Sequence, residues 1–120
     1  MKITKYQKAK LNGLLRELIK KRDGYRCLRC DKDGEHNVLH SSHIYPKGSN
    51  RGLEFDLDNL KFLCFHCHYY WWHKHPIEAG DWIKRKLPKN RLRRLANKKE
   101  QVIKMDYKKL KKKLEEQINE

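Results

Sequence analysis

The sequence has no long apolar run and few apolar residues overall. Hydrophobic residues make up 38% of the 120 residues, and the mean hydropathy is −1.07. No stretch approaches the roughly 20 apolar residues of a membrane helix, and the first residues lack the apolar centre of a secretion signal. We therefore expect a cytoplasmic protein without a membrane partner. Its thin core would need stabilisation by a metal or by disulfides.

Acidic residues are also scarce, with 15 Asp and Glu against 30 Lys and Arg, so the formal net charge is +15. The imbalance is concentrated in residues 84–113, where 15 basic and two acidic residues give a net charge of +13. This charge predicts a polyanionic partner, most commonly nucleic acid. A solvated lysine-rich helix is the alternative. The expected phosphate contacts in this region are Lys108, Lys109, Lys111, Lys112 and Lys113.

No repeat or low-complexity linker divides the chain, and the change to basic composition is its only internal boundary. We divide it into an N-terminal helix with a core, residues 1–83, and a basic helical extension, residues 84–120. The extension either belongs to the same compact unit or forms an arm. The apolar stripe of its last helix would pack on the core or mediate a homodimer. The stripe comprises Ile103, Tyr107, Leu110, Leu114 and Ile118.

Hydrophobic periodicity predicts the order of the elements. A helix is expected over 5–22, a strand over 38–45, and a second short strand or extended segment over 53–59. Another helix would begin near Asn59 or at the second cysteine pair and end before Pro76. Three further helical segments would follow: 77–87, closed by Pro88; 89–98; and a longer one over 100–120.

The four cysteines form two C-x2-C pairs separated by 33 residues, Cys27 with Cys30 and Cys64 with Cys67. Each pair can place two thiolates at a turn, with the spacing of a tetrahedral Zn²⁺ site. A pair of disulfides and four unrelated buried cysteines are the alternatives. Because cytoplasmic thiols stay reduced, we expect structural zinc.

Histidines occupy the span between and beside these pairs. His40 and His43 lie on the predicted strand, and His68 directly follows the last cysteine. A histidine next to a structural cysteine points away from that zinc, so His68 is available for a second metal. The predicted layout places His43 and His68 on facing walls of one cleft.

The segments "SHIYPKG" and "LDNLKFLCFHCH" resemble the motif of HNH endonucleases, and the likeness extends over about residues 24–75. The resemblance implies an α+β fold, with a small zinc-stabilised ββα-metal (His-Me finger), treble-clef-like core between N-terminal and basic C-terminal helices. It also implies a nuclease that cleaves DNA with a divalent metal such as Mg²⁺ or Mn²⁺. His43 would be the general base, Asn59 would hold the loop after His43, and His68 would bind the catalytic metal.

A second resemblance, to phage recombination nucleases of the NinG (Rap) type, implies a phage-type enzyme that nicks DNA or acts on branched DNA. The bacterial or phage-infected cell is then the expected setting. It rests on the C-x2-C pair, the strand histidine, the "LEFDLDN" segment and the basic C-terminal region.

The sequence departs from the HNH pattern at Ser42, where many members carry a metal-binding aspartate. His40 or His73 would then supply the missing ligand, and Lys47 and Arg51 would contact phosphate. A non-catalytic zinc-knuckle protein that binds nucleic acid is the main alternative. A zinc-stabilised protein-interaction module is a second, which leaves the basic region unexplained.

Overall fold

The computed structural model describes residues 3–101 and 103–120, and its mixture of helices with a two-stranded sheet confirms the α+β class. Two short 3-10 turns, Arg51–Leu53 and Leu57–Asn59, lie between the strands. The main elements are α1 (Lys5–Asp23), β1 (Leu39–His43), β2 (Leu60–Cys64), a π-helix (His66–Trp72), α2 (Pro76–Lys86), α3 (Lys89–Lys99) and α4 (Tyr107–Ile118).

Helix α1 matches its predicted range to within one residue because the sequence carries signals for both ends. Thr4 caps the N-terminus, and its side chain and that of Gln7 exchange hydrogen bonds with each other's backbone N–H. This reciprocal capping box satisfies two amide groups that the helix itself leaves without partners. Gly24 ends the helix with φ of 82°, a conformation that glycine adopts without steric cost.

The sheet corrects the prediction for residues 53–59, which form turns rather than a strand. The second strand is β2, which pairs antiparallel with β1 so that Leu39 faces Cys64 and His43 faces Leu60. Every residue of β2 is buried, so its sequence has no alternation to mark it as a strand. The apparent alternation over 53–59 instead comes from turn residues such as Asp56, whose carboxylate accepts the Asp58 N–H.

The next predicted helix begins at His66, between the two cysteines of the second pair, and not at Asn59. Strand β1 is likewise shorter than the predicted range of 38–45. The side chain of Asn59 binds both backbone groups of Tyr45, so at Tyr45 the chain pairs with a side chain instead of with β2.

The apolar face of α4 packs on the core and covers α1. Leu114 is buried, and Tyr107, Leu110 and Ile118 are partly buried against the same cluster. Lys21 on α1 donates hydrogen bonds to three carbonyls at the C-terminal end of this helix. The helix begins only at Tyr107, after Asp106 as its cap, so the predicted helix over 100–120 is too long and Ile103 lies outside it.

Within the parts of the chain that the structure describes, no helix has both the length and the apolar character needed to cross a bilayer.

Candidate active site and zinc centre

The two cysteine pairs converge on one point, with the four Sγ atoms within 4.8 Å of one another. Cys30 Sγ and Cys64 Sγ are 3.6 Å apart, much farther than the roughly 2.05 Å of a disulfide. Two thiolates on one Zn²⁺, with Zn–S bonds of about 2.3 Å at tetrahedral angles, would lie about 3.8 Å apart. The four thiols therefore fit a tetrahedral zinc ion, which confirms the predicted cluster.

Backbone hydrogen bonds shape the turn that presents the first pair. Cys27 N–H donates to Lys32 O, and Asp31 N–H donates back to Cys27 O. Asp31 adopts the left-handed conformation, with φ of 68°, which aspartate tolerates better than most residues. Leu28 N–H donates to Phe62 O at 2.9 Å, and this bond holds the turn against β2.

Crowding of the thiols opposes their simultaneous ionisation without a cation. Burial, together with the neighbouring cysteines, raises the pKa of Cys67 to about 12, although Arg29 opposes this shift from 3.5 Å. Burial also disfavours ionisation of Cys27, but backbone N–H groups donated by Cys30, Cys64 and Arg29 outweigh it and lower its pKa to about 7. A bound Zn²⁺ would stabilise all four thiolates.

His43, at the end of β1, has one ring nitrogen fixed by the backbone. Its Nε2 lies 2.9 Å from Glu54 O, so the neutral ring donates Nε2–H and keeps the lone pair on Nδ1. Burial lowers the pKa of His43 below 6.5. The hydrogen bond to Glu54 O opposes this shift, and the nearby Lys47 and Lys61 add to it. His43 is therefore mainly neutral at pH 7, with Nδ1 as a proton acceptor.

Asn59 is fully buried and binds the backbone of the loop that follows His43. Its amide oxygen accepts from Tyr45 N–H at 2.8 Å, and its amide nitrogen donates to Tyr45 O and Leu53 O. Its own carbonyl accepts from Ile44 N–H at 2.8 Å. These four bonds hold the two ends of the 44–53 loop together.

His68 lies between two other histidines. Its Nδ1 is 2.9 Å from His40 Nδ1, and its Nε2 is 3.1 Å from His73 Nε2. On an α-helix, residues five apart point about 140° away from each other. Here the chain follows a π-helix, whose i→i+5 hydrogen bond joins His73 N–H to His68 O. The π-helix therefore brings His73 over His68.

The donor atoms of this histidine group fit a divalent metal at His68 with one neighbour. Two nitrogens bound to one ion at about 2.1 Å and a right angle would lie about 3 Å apart, close to both observed distances. Burial, and then the charges of His73 and His40, lower the pKa of His68 to about 4, so the ring is neutral at pH 7. A neutral ring has only one lone pair, so His68 would share a metal with either His40 or His73.

Among residues 3–101 and 103–120, the cysteines are the only set of three or more metal-binding side chains whose ligand atoms converge. The three histidines thus form a chain and do not surround one point. Ser42 is fully buried, and its hydroxyl binds Lys61. Ser42 therefore cannot act as a ligand from the cleft surface.

Two buried basic side chains near the site have no counterpart in the predictions. Lys61 is fully buried; its Nζ donates to Ser42 Oγ at 3.0 Å and to His43 O at 3.4 Å, and lies over the Trp72 ring. Burial lowers its pKa well below 10.5, and the charge of Arg91 adds to this effect. The signal that could have found Lys61 is a single charge inside the apolar run "NLKFLC".

Arg91 extends from α3 to the turn before β2. Its Nε donates to Asp58 O at 2.9 Å and its Nη2 to Leu60 O at 2.8 Å, and only 5% of the residue is exposed. From α1, Arg22 donates to Leu57 O and to the same Leu60 carbonyl. Two arginines from different helices thus hold the turn that carries Asn59.

His43 and His68 line one cleft of about 660 Å³, bounded by the loop after β1, the π-helix, α2 and α3. His73 and Lys47 line the same cleft, whereas Arg51 and Lys108–Lys113 do not. Lys109 and Lys113 line a second cavity of about 590 Å³. Part of the basic region also has internal partners, since Arg94 and Lys98 form ion pairs with Asp58.

Comparison with known proteins gives one match. The model of the HNH endonuclease family matches residues 27–69, a segment that contains all four cysteines, His40, His43, Asn59 and His68. No curated protein and no solved structure matches the chain. Helices α1 to α4 and His73 lie outside the matched segment. The chain thus contains a segment, residues 27–69, that matches the HNH endonuclease family.

Proposed function

We propose that the protein is a metal-dependent endonuclease that hydrolyses DNA phosphodiester bonds, with His43 as the general base. The observation that carries the proposal is the position of His43, a neutral imidazole whose Nδ1 is the acceptor, in the same cleft as His68. The match of residues 27–69 to the HNH family supports it.

In this mechanism Nδ1 of His43 accepts a proton from a water molecule that attacks the phosphorus atom. The Glu54 carbonyl keeps the imidazole in the required tautomer. Asn59 keeps the loop after His43 closed, so it acts as a positioning residue. Lys47, exposed on the rim of the cleft, would bind a neighbouring phosphate.

The catalytic metal would be held by His68, together with His40 or His73. When bound, it would polarise the scissile phosphate and neutralise charge on the leaving 3′ oxygen. Imidazole ligands without a carboxylate favour ions such as Ni²⁺ or Zn²⁺ over Mg²⁺ or Mn²⁺. Arg51 and the lysines of α4 would add salt-dependent affinity for the phosphate backbone.

A phage-type nuclease that nicks duplexes or acts on branched DNA would suit the small cleft and the basic helices. A bacterial or phage-infected cytoplasm keeps thiols reduced, as the zinc centre requires.

The test is cleavage of a supercoiled plasmid by the zinc-loaded protein, with Mg²⁺, Mn²⁺, Co²⁺ or Ni²⁺ added in turn. We expect nicking with at least one of these metals. His43→Ala should lower the rate by about 10²- to 10⁴-fold, the usual contribution of a general base, and no metal should restore it. His68→Ala should be partly rescued by excess metal. Retention of bound zinc and of the thermal transition controls for folding in both variants.

A non-catalytic DNA-binding protein is the second candidate. Two observations favour it: Ser42 is buried, and the nitrogen atoms of the three histidines do not surround one point. It predicts DNA binding without nicking under every metal, and equal binding by the wild type and His43→Ala. Nicking by His43→Ala at the wild-type rate would also count against the proposed mechanism.

A further inference from the structure

The cleft beside His43 has an apolar wall that the proposed hydrolysis does not use. One face of α2 lines it through residues spaced three and four apart: Pro76, Ala79, Gly80, Ile83 and Lys84. Ala79 and Ile83 are buried there. Leu92 of α3, Trp72 of the π-helix and Tyr45 of the loop complete the lining.

The charges of the cleft lie at its rim. Lys47 and Lys84 are exposed cations on opposite sides, one in the loop after β1 and the other on α2. A groove that tracks a nucleic-acid backbone is positively charged, whereas the wall between these two lysines is apolar. Here phosphates can bind at the rim, while the wall between offers contact to an uncharged, flat group.

Paired DNA has no such group to offer, because its bases are stacked on one another and only their edges are accessible. A base that has left the stack exposes two π faces, which proteins bind against aromatic and apolar side chains. The volume of about 660 Å³ lies in the range of small-molecule sites, roughly 300–1,000 Å³. It therefore suits single nucleotides better than a duplex.

We propose that this wall, the base wall, binds one unpaired base next to the phosphate presented to His43, so that the substrate is DNA with unpaired nucleotides. The inference rests on the proposed function, which supplies DNA as the ligand. It deepens that function by naming the class of substrate that fits the cleft.

Gly80 allows the base wall to be blocked without touching the histidines. It lies in the middle of the α2 face that lines the cleft, and a Cβ added there would meet no atom within 4 Å. Because a helical glycine costs stability relative to alanine, Gly80→Ala should slightly stabilise the protein. Gly80→Leu adds a side chain that would occupy the space of the base. Gly13→Leu is the matched control, since Gly13 is on α1 and is equally open.

The experiment measures binding of zinc-loaded protein to labelled DNA by fluorescence anisotropy, without added divalent metal. Four probes of one sequence are compared: a paired duplex, a duplex with one bulged base, a fork and a single strand. We expect wild type to bind all three unpaired probes about 5- to 150-fold tighter than the duplex, the range for one stacked base. Gly80→Leu should remove this gain and leave duplex affinity unchanged. Gly80→Ala and Gly13→Leu should keep it.

Equal wild-type affinity for paired and unpaired probes would overturn the proposal, and this comparison requires no variant. If Gly80→Leu still bound the unpaired probes more tightly than the duplex, as the wild type should, the proposal would be overturned as well. Cleavage of the same probes after metal addition separates the two proposals. Discrimination in binding without any cleavage would support the base wall and contradict the nuclease. Cleavage of duplex and bulged DNA at equal rates, unaffected by Gly80→Leu, would support the nuclease and contradict the base wall.

Discussion

At the scale of single residues, one hydrogen bond determines the chemistry available to His43. The Glu54 carbonyl takes the Nε2 proton, so the ring presents Nδ1 as a base only while it stays neutral. Burial, with Lys47 and Lys61 nearby, favours the neutral form. Because these surroundings lower the pKa of His43, protonation would inactivate it as a base only at a more acidic pH than that at which a free histidine is protonated.

The pH dependence of cleavage follows from this shift. Because the base works when unprotonated, kcat/KM should fall as the pH drops through the pKa of His43, with a midpoint below 6.5. Lys47→Gln removes a positive charge that opposes protonation, so its midpoint should move upward. The measurement is kcat/KM against pH for both proteins at constant ionic strength. A wild-type midpoint at or above 6.5, or a downward shift in Lys47→Gln, would contradict this assignment.

Lys61 should make stability depend on pH in the alkaline direction. Its pKa is lower in the folded protein than the usual 10.5, so the unfolded chain binds its proton more tightly. The free energy of unfolding should therefore rise as the pH increases from neutral toward 10.5. Lys61→Met should weaken this rise, measured by urea denaturation at several pH values. Lys10→Met, a change at an exposed residue of α1, controls for the loss of one charge. If the free energy of unfolding rose equally steeply with pH in the two variants, the prediction would be refuted.

Lys61 also changes what a carboxylate at position 42 would do. The Ser42 hydroxyl is within hydrogen-bond distance of the Lys61 ammonium, at 3.0 Å. An aspartate there would lie beside Lys61 Nζ. This chain thus replaces a ligand position of the HNH pattern with part of a buried polar contact between its two strands.

At the scale of elements, the turn before β2 depends on helices distant in sequence. Arg91 from α3 and Arg22 from α1 donate to carbonyls on either side of Asn59. A buried carbonyl that loses its donor costs free energy because water cannot replace the bond. The position of Asn59, and through it the loop after His43, therefore depends on the packing of α1 and α3.

Arg91→Leu tests this dependence. Two hydrogen bonds from a charged group are lost, so we expect the free energy of unfolding to drop by about 2–4 kcal/mol. Cleavage should fall as the loop after His43 loosens. Arg94→Ala is the matched change on the same helix, and its exposed ion pair with Asp58 should contribute less than about 1 kcal/mol. Urea denaturation in the presence of zinc measures both, and equal losses would contradict the buried role of Arg91.

The π-helix is the second element with a functional consequence. Its winding places His73 within 3.1 Å of His68, a proximity that an α-helix of the same sequence would not give. Such windings are frequent at functional sites because they reorient side chains. The winding of the π-helix thus gives His68 a second histidine neighbour, His73, in addition to His40 on β1.

At the scale of the whole molecule, the zinc centre links the N-terminal turn to the end of the sheet. Cys27 and Cys30 come from the turn after α1, whereas Cys64 ends β2 and Cys67 lies on the π-helix. Leu28 N–H is bound to the middle of β2. A metal at this point would therefore connect the turn after α1 to β2 and to the π-helix, which lines the cleft.

Zinc removal should consequently unfold the protein. Elemental analysis should find one tightly bound zinc per chain, and a strong chelator should abolish the cooperative thermal transition, because structural zinc contributes about 10–16 kcal/mol in small domains. Cys64→Ser should behave like the chelated protein. His68→Ala should retain the zinc and the transition. A metal-free protein that melts like the untreated one would refute a structural role for zinc.

The sequence by itself determined the features that depend on spacing over short distances. Paired cysteines two residues apart indicated the cluster that the structure brings together. The apolar periodicity of residues 5–22 predicted α1 to within one residue. The order of His43, Asn59 and His68 indicated the HNH segment found at residues 27–69. In each case the signal is a pattern of residue types along the chain, which can be recognised before the long-range contacts are known.

Only the tertiary structure decided the features that depend on burial and on contacts between distant segments. Strand β2 is buried on both faces, so it has no alternation to predict, and Lys61 is a buried cation only because the sheet encloses it. Arg91 looks like one more charge of the basic region until α3 packs against the turn before β2. The base wall likewise exists only where α2 faces the loop after His43. Burial is a property of the assembled chain, and a residue type cannot reveal which of its neighbours will exclude water.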